Sequence, residues 1–471
     1  MNIFFEYEKK NYQGSFLESA SERELFKNVL NKLWKERNHF GLTSVYFDDE
    51  DLSEQQFFVF YDTYLKAGKY IGTIKYGNNV IHILPKTFEN GKKKYSAEQL
   101  LEMSNKNLLW WLSRCSKIKF PKTFSGWNTR DFSFLDILIH LFATLTRDDL
   151  IYNKHQSYVE KEESIGTLRG RIDFSKYASN YFTGNTHVLP CIYDSLEIDN
   201  LYNQIVKFTS RLLLQNTEND DLKKILQEII WILEDVNDLF LNASDCDRVV
   251  VSPLNDNMKI ILDYCRMFMS GMSIKSNEND LEIFTFLIPT EKLFEDFLFG
   301  FIKDKFQYRS TIRAIQNQGD SEGKQRPLAV EKDEYGKILR RSFRLKPDIY
   351  ISQESKDIII DTKYKAIYSK EEALENDRNK NGVSISDIYQ MLAYTVKLEV
   401  NTCHLLYPDM IGVKDVLGTH YEIEHNNKQD ISKVYYHRIP TLIENEDGEL
   451  NEIIEEKERQ LYFHLYKIVD V

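Results

Sequence analysis

The sequence predicts a multidomain chain of mixed α+β and α/β structure: a β-rich N-terminal piece, a mainly helical middle, and a C-terminal mixed sheet flanked by helices. Three observations carry this. The 471 residues exceed the length of one ordinary domain. β-branched and aromatic runs dominate residues 1–95, whereas helical apolar periodicity dominates 96–280. From residue 281 to 471 the elements alternate helix, strand, strand, helix, strand, the order of a sheet covered by helices.

In the first segment, "FFVFYDTYL" (Phe57 to Leu65) is aromatic and partly alternating. "KYIGTIKYGNNVIHILPK" (Lys69 to Lys86) reads as a hairpin turning at Gly77-Asn78-Asn79 and ending at Pro85. Ser96 followed by Gln99 is a capping-box signature, and Leu100, Leu101, Leu108, Trp111 and Leu112 continue it as a helical stripe. Asp131 to Lys154 reads as a second, buried helix. "ESIGTLRGRIDFSKY" (Glu163 to Tyr177) is a loop in which two glycines bracket Arg169. Residues 199–242 and 256–272 are helical again. The polar run "KSNENDLE" (Lys275 to Glu282) marks the main domain boundary.

"PTEKLFEDFLFGFIKDKF" (Pro289 to Phe306) opens the last segment as an amphipathic helix with proline near its start. "RLKPDIYISQESKDIIIDTKYKAIY" (Arg344 to Tyr368) then reads as a strand pair turning near Glu354 and Ser355. A charged loop around Asn379, the helix "SDIYQMLAYTVKLE" and the buried strand "CHLLYP" follow. The loop and the acidic run Glu444 to Glu449 read as solvated surface.

Composition bounds the function. No apolar run approaches the roughly 18 residues that span a bilayer, and the N-terminus lacks the pattern of a signal peptide. The expected location is the cytoplasm, without a membrane partner. Five scattered cysteines form no zinc spacing and suit reduced thiols. The formal net charge of −12 argues against a stand-alone DNA binder, because neutralising phosphates supplies most non-specific affinity. A DNA enzyme of this composition needs a local basic patch, a divalent metal and a recruiting partner.

The strand pair carries the chemistry. A hairpin turning at Glu354 and Ser355 sets Asp348 opposite Asp361, with Cβ atoms roughly 4.5–5.5 Å apart. Lys363, two residues on, shares their face. Facing carboxylates repel unless a cation compensates, and Mg²⁺ suits carboxylate oxygens while keeping waters for substrate phosphates. A lysine beside them can orient the attacking water or stabilise developing charge. Gln390 and Tyr394 lie at i, i+4 on one face of the next helix, within reach of such a site or of a DNA phosphate. Glu295, on the preceding helix, offers a third carboxylate. The competing readings are a surface hairpin with ordinary charges, a chance helix-face pair, and a solvated glutamate beside Asp296.

Glu295, Pro347-Asp348, Asp361-Thr362-Lys363, Gln390 and Tyr394, in that order, resemble the PD-(D/E)XK nuclease superfamily. "GTIKYGNNVIHILPK", "LTRDDLIYNKHQSYVEKEESIGTLRGRIDF" and "CIYDSLEIDNLYNQIVKF" further resemble the McrC family, the nuclease subunit of McrBC-type restriction systems. The resemblance implies a C-terminal nuclease that cuts double-stranded DNA with Mg²⁺. Asp348 and Asp361 (with Glu295) would hold metal and Lys363 would act on the water. It also implies an N-terminal region that docks on a hexameric McrB-like AAA+ GTPase and stimulates it, with GTP bound by that partner. The chain has no phosphate-binding G-x-x-x-x-G-K-[ST] loop, so any motor lies on another chain. Arg169 and Arg171 are candidates for contact with the partner's nucleotide site; the alternative is a salt bridge within the domain, with Asp173. Insertions relative to shorter relatives are expected in the N-terminal half and around Asn317 to Gly336. Two other functions compete: a nuclease-fold adaptor that activates an NTPase without cutting, and a recombination or repair nuclease.

Overall fold

The computed structural model describes every residue except 1, 36, 38–45, 47–53, 78, 119, 121–133, 154, 252–255, 273–282, 318–326, 355, 366–381, 414–418, 425–430, 447 and 470–471. Asn78, Lys154, Ser355, the loop around Asn379 and the run Lys275 to Glu282 therefore lie outside the described residues. The described part combines several sheets with long helices, a mixed α+β protein.

The chain forms two compact units, and they regroup the segments read from the sequence. One unit contains residues 1–35, 45–132 and 285–471; the other contains 36–44 and 133–284. The expected boundary at 280/281 lies four residues from the division at 284/285, whereas the one at 95/96 falls inside the first unit. The reason for the regrouping is a long-range strand pairing. The N-terminal sheet orders Asn2–Phe5, Asn79–Leu84, Tyr70–Tyr76 and Ile283–Pro289. Its last strand runs straight into the helix Thr290–Phe306. Glu6 fixes this junction: it is buried and accepts hydrogen bonds from Thr290 Oγ1 at 2.7 Å and Lys86 N at 3.0 Å.

The first unit also holds a six-stranded mixed sheet. Its order is Ile312–Asn317, Ile349–Gln353, Ile358–Thr362, Thr402–Pro408, Ile431–Ile439, Thr419–Glu424. The middle strands read "IYISQ", "IIIDT" and "TCHLLYP", the near-continuous apolar runs of strands covered on both faces. The helix Ile385–Leu398 packs on one face through Met391 and Tyr394, against Ile359, Cys403, Leu405 and Tyr407. Ser384 starts that helix with a capping box, as Ser96 does for Ala97–Arg114. The C-terminal helix Leu450–Val469 is tied to the sheet by Gln353 Nε2, which donates to Val469 O at 2.7 Å.

Helices Ala97–Arg114 and Thr290–Phe306 pack through Trp110, Trp111 and Phe297, with Trp111 stacked on Phe297 at 5.7 Å. Their closest approach is at Gly300, where an added Cβ would lie 1.9 Å from the Arg114 carbonyl oxygen. Gly300→Ala must therefore separate the helices, and overpacking of this kind costs about 1–3 kcal/mol. The expected result is a lowered Tm in thermal unfolding; an unchanged Tm removes the close approach as the reason for glycine here.

The structure changes several details of the sequence reading. The aromatic stretch from Phe57 to Leu65 supplies the strand Phe58–Phe60 and the start of Tyr64–Ala67. The expected loop around Asn317 to Gly336 contains part of a two-stranded ribbon, Pro327–Lys332 with Ile338–Arg344. Glu444 is not simply solvated: it accepts from Tyr95 Oη at 2.6 Å and pairs with Lys94 at 2.9 Å.

The second unit is built on the helices Phe134–Tyr152, Leu201–Asn216, Asp220–Ile232 and Asp256–Met272. It also carries a small sheet ordered Ser157–Ile165, Leu189–Glu197, Arg171–Ile172, and the helix Phe174–Phe182, which buries no side chain.

Candidate active site

The hairpin register is the one the sequence implied. Ile349 pairs with Ile360, Tyr350 with Ile359 and Ile351 with Ile358, so Asp348 stands opposite Asp361 one step beyond the ladder. Both carboxylates are buried, Asp361 to 1% exposure and Asp348 to 8%. Asp348 is held by Thr362, whose N and Oγ1 donate to its Oδ2 at 2.7 and 2.8 Å. Asp361 Oδ2 is buried and accepts no well-directed hydrogen bond; the Lys363 ammonium lies 2.5 Å from it.

Gln390 joins the strand to the helix. Its Oε1 accepts from Lys363 Nζ at 3.0 Å, while its Nε2 donates to Asp361 Oδ1 at 3.1 Å and to Tyr394 Oη at 2.8 Å. Tyr394 Oη in turn donates to Lys346 O at 3.0 Å, just before Pro347-Asp348. The structure thus brings Gln390 and Tyr394 to the acidic pair. Tyr394 thereby links Gln390 to the segment entering Asp348.

Glu295 is no solvated surface group. It is largely buried, and its neighbour Asp296 fixes the helix by accepting from Tyr46 Oη at 2.7 Å, Ser116 N at 3.1 Å and Lys117 N at 3.1 Å. Burial first, and Asp348 second, push the Glu295 carboxyl up to about 7. The same two causes, burial and then Asp348, push Asp361 up to about 7 against the pull of Lys363. Burial disfavours the Lys363 charge, but Asp361, Asp348 and Asp387 outweigh it and hold the ammonium above its ordinary value. Lys363 therefore does not overcome burial and Asp348 at Asp361, while Glu295 has its own ion pair with Lys292 at 3.6 Å.

These two raised carboxyls set a testable pH dependence. A carboxyl raised on folding binds its proton more tightly in the native state, so the fold gains stability below the ordinary carboxylate range. It loses that gain as pH rises through about 7. The metal-free protein should lose Tm between pH 5 and 8, and Mg²⁺ should restore it at pH 8. In Asp361→Asn both effects should shrink. A Tm independent of pH and Mg²⁺ contradicts the linkage.

The donor set fits a hard divalent cation. Asp348 and Asp361 are facing, buried oxygen donors, and Mg²⁺ needs only one or two carboxylates with waters and phosphate oxygens. Among the described residues no three His, Cys, Asp or Glu side chains converge to form a closed cage. After burial, Asp348 is the largest influence on the Glu295 carboxyl, so Glu295 and the pair share one electrostatic environment.

Sequence reasoning missed Asp387 and Lys365. Asp387 is buried, belongs to the capping box of the Gln390 helix, and pairs with Lys365 two residues past Lys363. The S-x-x-D spacing at Ser384 was the available signal.

Arg169 and Arg171 belong to the other compact unit. The Arg169 guanidinium lies 4.2 Å over the Tyr193 ring. Arg171 is well exposed and only loosely paired with Glu160, at 3.5 Å. Asp173 is not their partner; it caps the helix Phe174–Phe182, accepting from Ser175 N and Lys176 N. Gly170, at φ +64°, leaves no room for a Cβ against Ile192 O at 2.4 Å.

No helix among the described residues is long and apolar enough to cross a membrane. The model of the family described as "McrBC 5-methylcytosine restriction system component" matches residues 65–408. No curated protein matches the chain. Among solved structures, the chain is similar to one in the refined half-complex from the tetradecameric assembly of Thermococcus gammatolerans McrB AAA+ hexamers with bound McrC. The TM-score is 0.66 at 15% identity, over 99% of both chains. A chain of the Thermococcus gammatolerans McrBC complex matches at a TM-score of 0.47 and 19% identity, over 64% of this chain and 86% of that one. The fold likeness spans the whole chain and the family match most of it: this protein belongs to the family of McrBC 5-methylcytosine restriction system components.

Proposed function

We propose that this chain is the Mg²⁺-dependent endonuclease subunit of a GTP-driven McrBC-type restriction complex, cutting double-stranded DNA through a PD-(D/E)XK-like site. The observation that carries the reading is the buried couple of Asp348 and Asp361 facing each other across a hairpin, with Lys363 beside them. When bound, Mg²⁺ would offset the repulsion between the two facing carboxylates and lower the pKa of a bound water. Asp348 and Asp361 would hold the cation, kept in place by Thr362 and Gln390. Lys363, steadied by Gln390 Oε1 at 3.0 Å, presents its ammonium on the same face, where it can orient the attacking water or meet charge developing on the phosphate. Gln390 and Tyr394 keep that arrangement rigid.

The test is a cleavage assay on duplex DNA with Mg²⁺, GTP and a McrB-like AAA+ protein from the same genome, omitting each in turn. The reading requires all three. If the complete mixture hydrolyses GTP without cutting, the chain is an activating adaptor; cutting without GTP or partner makes it a stand-alone nuclease.

Stimulation of the partner's GTPase is assigned to the second unit, with Arg169 and Arg171 as contacts at the nucleotide site. Their exposure and the left-handed turn at Gly170 support this, since the loop presents both without a buried carboxylate to hold them. Arg169→Ala and Arg171→Ala should each lower stimulated GTPase turnover several-fold without altering Tm. Turnover at the wild-type level returns both residues to a structural part.

A further inference from the structure

The net charge of −12 poses a problem that the acidic site deepens: something on this chain must hold a polyanion close to buried carboxylates. The ribbon Pro327–Lys332 with Ile338–Arg344 stands out on three counts. First, its charge is inverted relative to the chain. The ten residues Lys337 to Lys346 contain five cations (Lys337, Arg340, Arg341, Arg344, Lys346) and no carboxylate. The ribbon's acids lie on its first strand and turn, and two of them are already used. Glu331 pairs with Arg340 at 2.5 Å, and Asp333 builds the turn by accepting from Tyr335 N at 3.0 Å and Lys337 N at 2.8 Å. Among the described residues no carboxylate pairs with Arg341, which sits opposite Val330.

Second, the ribbon has no core of its own. It forms a separate two-stranded sheet, and Leu328, Val330, Tyr335, Ile338, Leu339 and Phe343 are all exposed. Two strands alone are marginally stable in water, so a ribbon exposed on both faces is suited to being completed by a ligand. Third, it is tethered to the candidate site. Arg344 ends its second strand and Asp348 follows four residues later, at most roughly 14 Å of extended chain. A duplex whose scissile phosphate lies at Asp348 must pass within reach of the ribbon's base. A seven-residue strand runs roughly 23 Å, and a two-stranded ribbon fits the major groove.

We propose that this ribbon is the DNA-holding element of the chain, with Arg341 and Lys337 on phosphates flanking the scissile bond and its exposed apolar side chains against the groove wall. The inference rests on DNA being the substrate, but it locates affinity away from the residues that would perform hydrolysis.

The test uses the full chain and a fluorescent duplex in EDTA, so nothing is cut. Binding is followed from about 50 to 200 mM salt, a range over which phosphate contacts are strongly weakened. In Lys337→Ala/Arg341→Ala the affinity at low salt should fall about tenfold or more, and the slope of log K against log salt should flatten by about 2. The control Lys223→Ala/Lys224→Ala removes the same charge from the helix Asp220–Ile232 and should leave both unchanged. Four results overturn the proposal: no duplex binding by the wild-type chain, wild-type affinity and slope in the ribbon variant, equal losses in the control, or a changed oligomeric state with unaltered DNA affinity, which assigns the ribbon to a second copy. Because the readout is binding without metal, wild-type protein that binds through the ribbon yet never cuts would refute the nuclease reading alone.

Discussion

Asp361→Ala should abolish DNA cleavage by the assembled complex while stimulation of the partner's GTPase stays near the wild-type level. The expected loss in cleavage rate is roughly a thousandfold or more, the scale on which removing a group that stabilises transition-state charge acts. Asp361 is almost fully buried and is contacted by both Lys363 and Gln390. Removing its carboxylate leaves Asp348 without a facing partner and leaves a lone ammonium against Gln390. GTPase stimulation is expected to survive because Arg169 and Arg171 belong to the other compact unit, built on its own helices. Asp361→Asn separates chemistry from folding: it keeps the side-chain shape and removes a buried charge whose neutral form the fold favours, so Tm without metal should hold or rise at pH 8. Normal cleavage by either variant removes Asp361 from the site. Loss of both activities in a folded Asp361→Asn protein refutes the division of labour between the units.

Lys363→Ala should also abolish cleavage, but for a different reason and with a different signature. The ammonium lies between Asp361 Oδ2 and Gln390 Oε1, so it is positioned by two elements at once. Its removal leaves both carboxylates in place, and divalent metal should still raise the Tm of the variant. It also removes the cation that opposes protonation of Asp361. Metal binding should then require a higher pH than in the wild type, because burial and Asp348 act on Asp361 unopposed. Two measurements check this: single-turnover cleavage, and the Mg²⁺-induced change in Tm as a function of pH. Full cleavage activity, or a pH dependence identical to wild type, contradicts the assignment. Gln390→Ala should give a milder loss, since it loosens Lys363 without removing it.

Much of this was legible in the sequence, because it rests on local rules. Two β-branched runs with a short turn between them leave only one register that keeps "IYI" and "III" in the core, and that register sets Asp348 against Asp361. Ser96 announced its helix through side-chain spacing alone. The i, i+4 relation of Gln390 and Tyr394 gave a shared helix face, and the apolar strands beneath it gave the sheet that face would cover.

Tertiary structure decided what local rules cannot reach. The strand Ile283–Pro289 pairs with residues more than two hundred positions earlier, and no periodicity within either segment announces that pairing. It draws the N-terminal strands into the unit that carries the acidic pair, through the Glu6–Thr290 contact at the start of the Glu295 helix. The burial that turns Glu295 from a plausible surface charge into a strongly perturbed carboxyl arises the same way, as does Gln390's simultaneous grip on Asp361 and Lys363. The sequence by itself determined which residues could face one another, because the alternation of side chains along a strand and around a helix is fixed by backbone geometry. Only the folded chain decided how dry and how crowded with charge that meeting is, because desolvation and Coulomb energy depend on every element packed around the site, however distant in sequence.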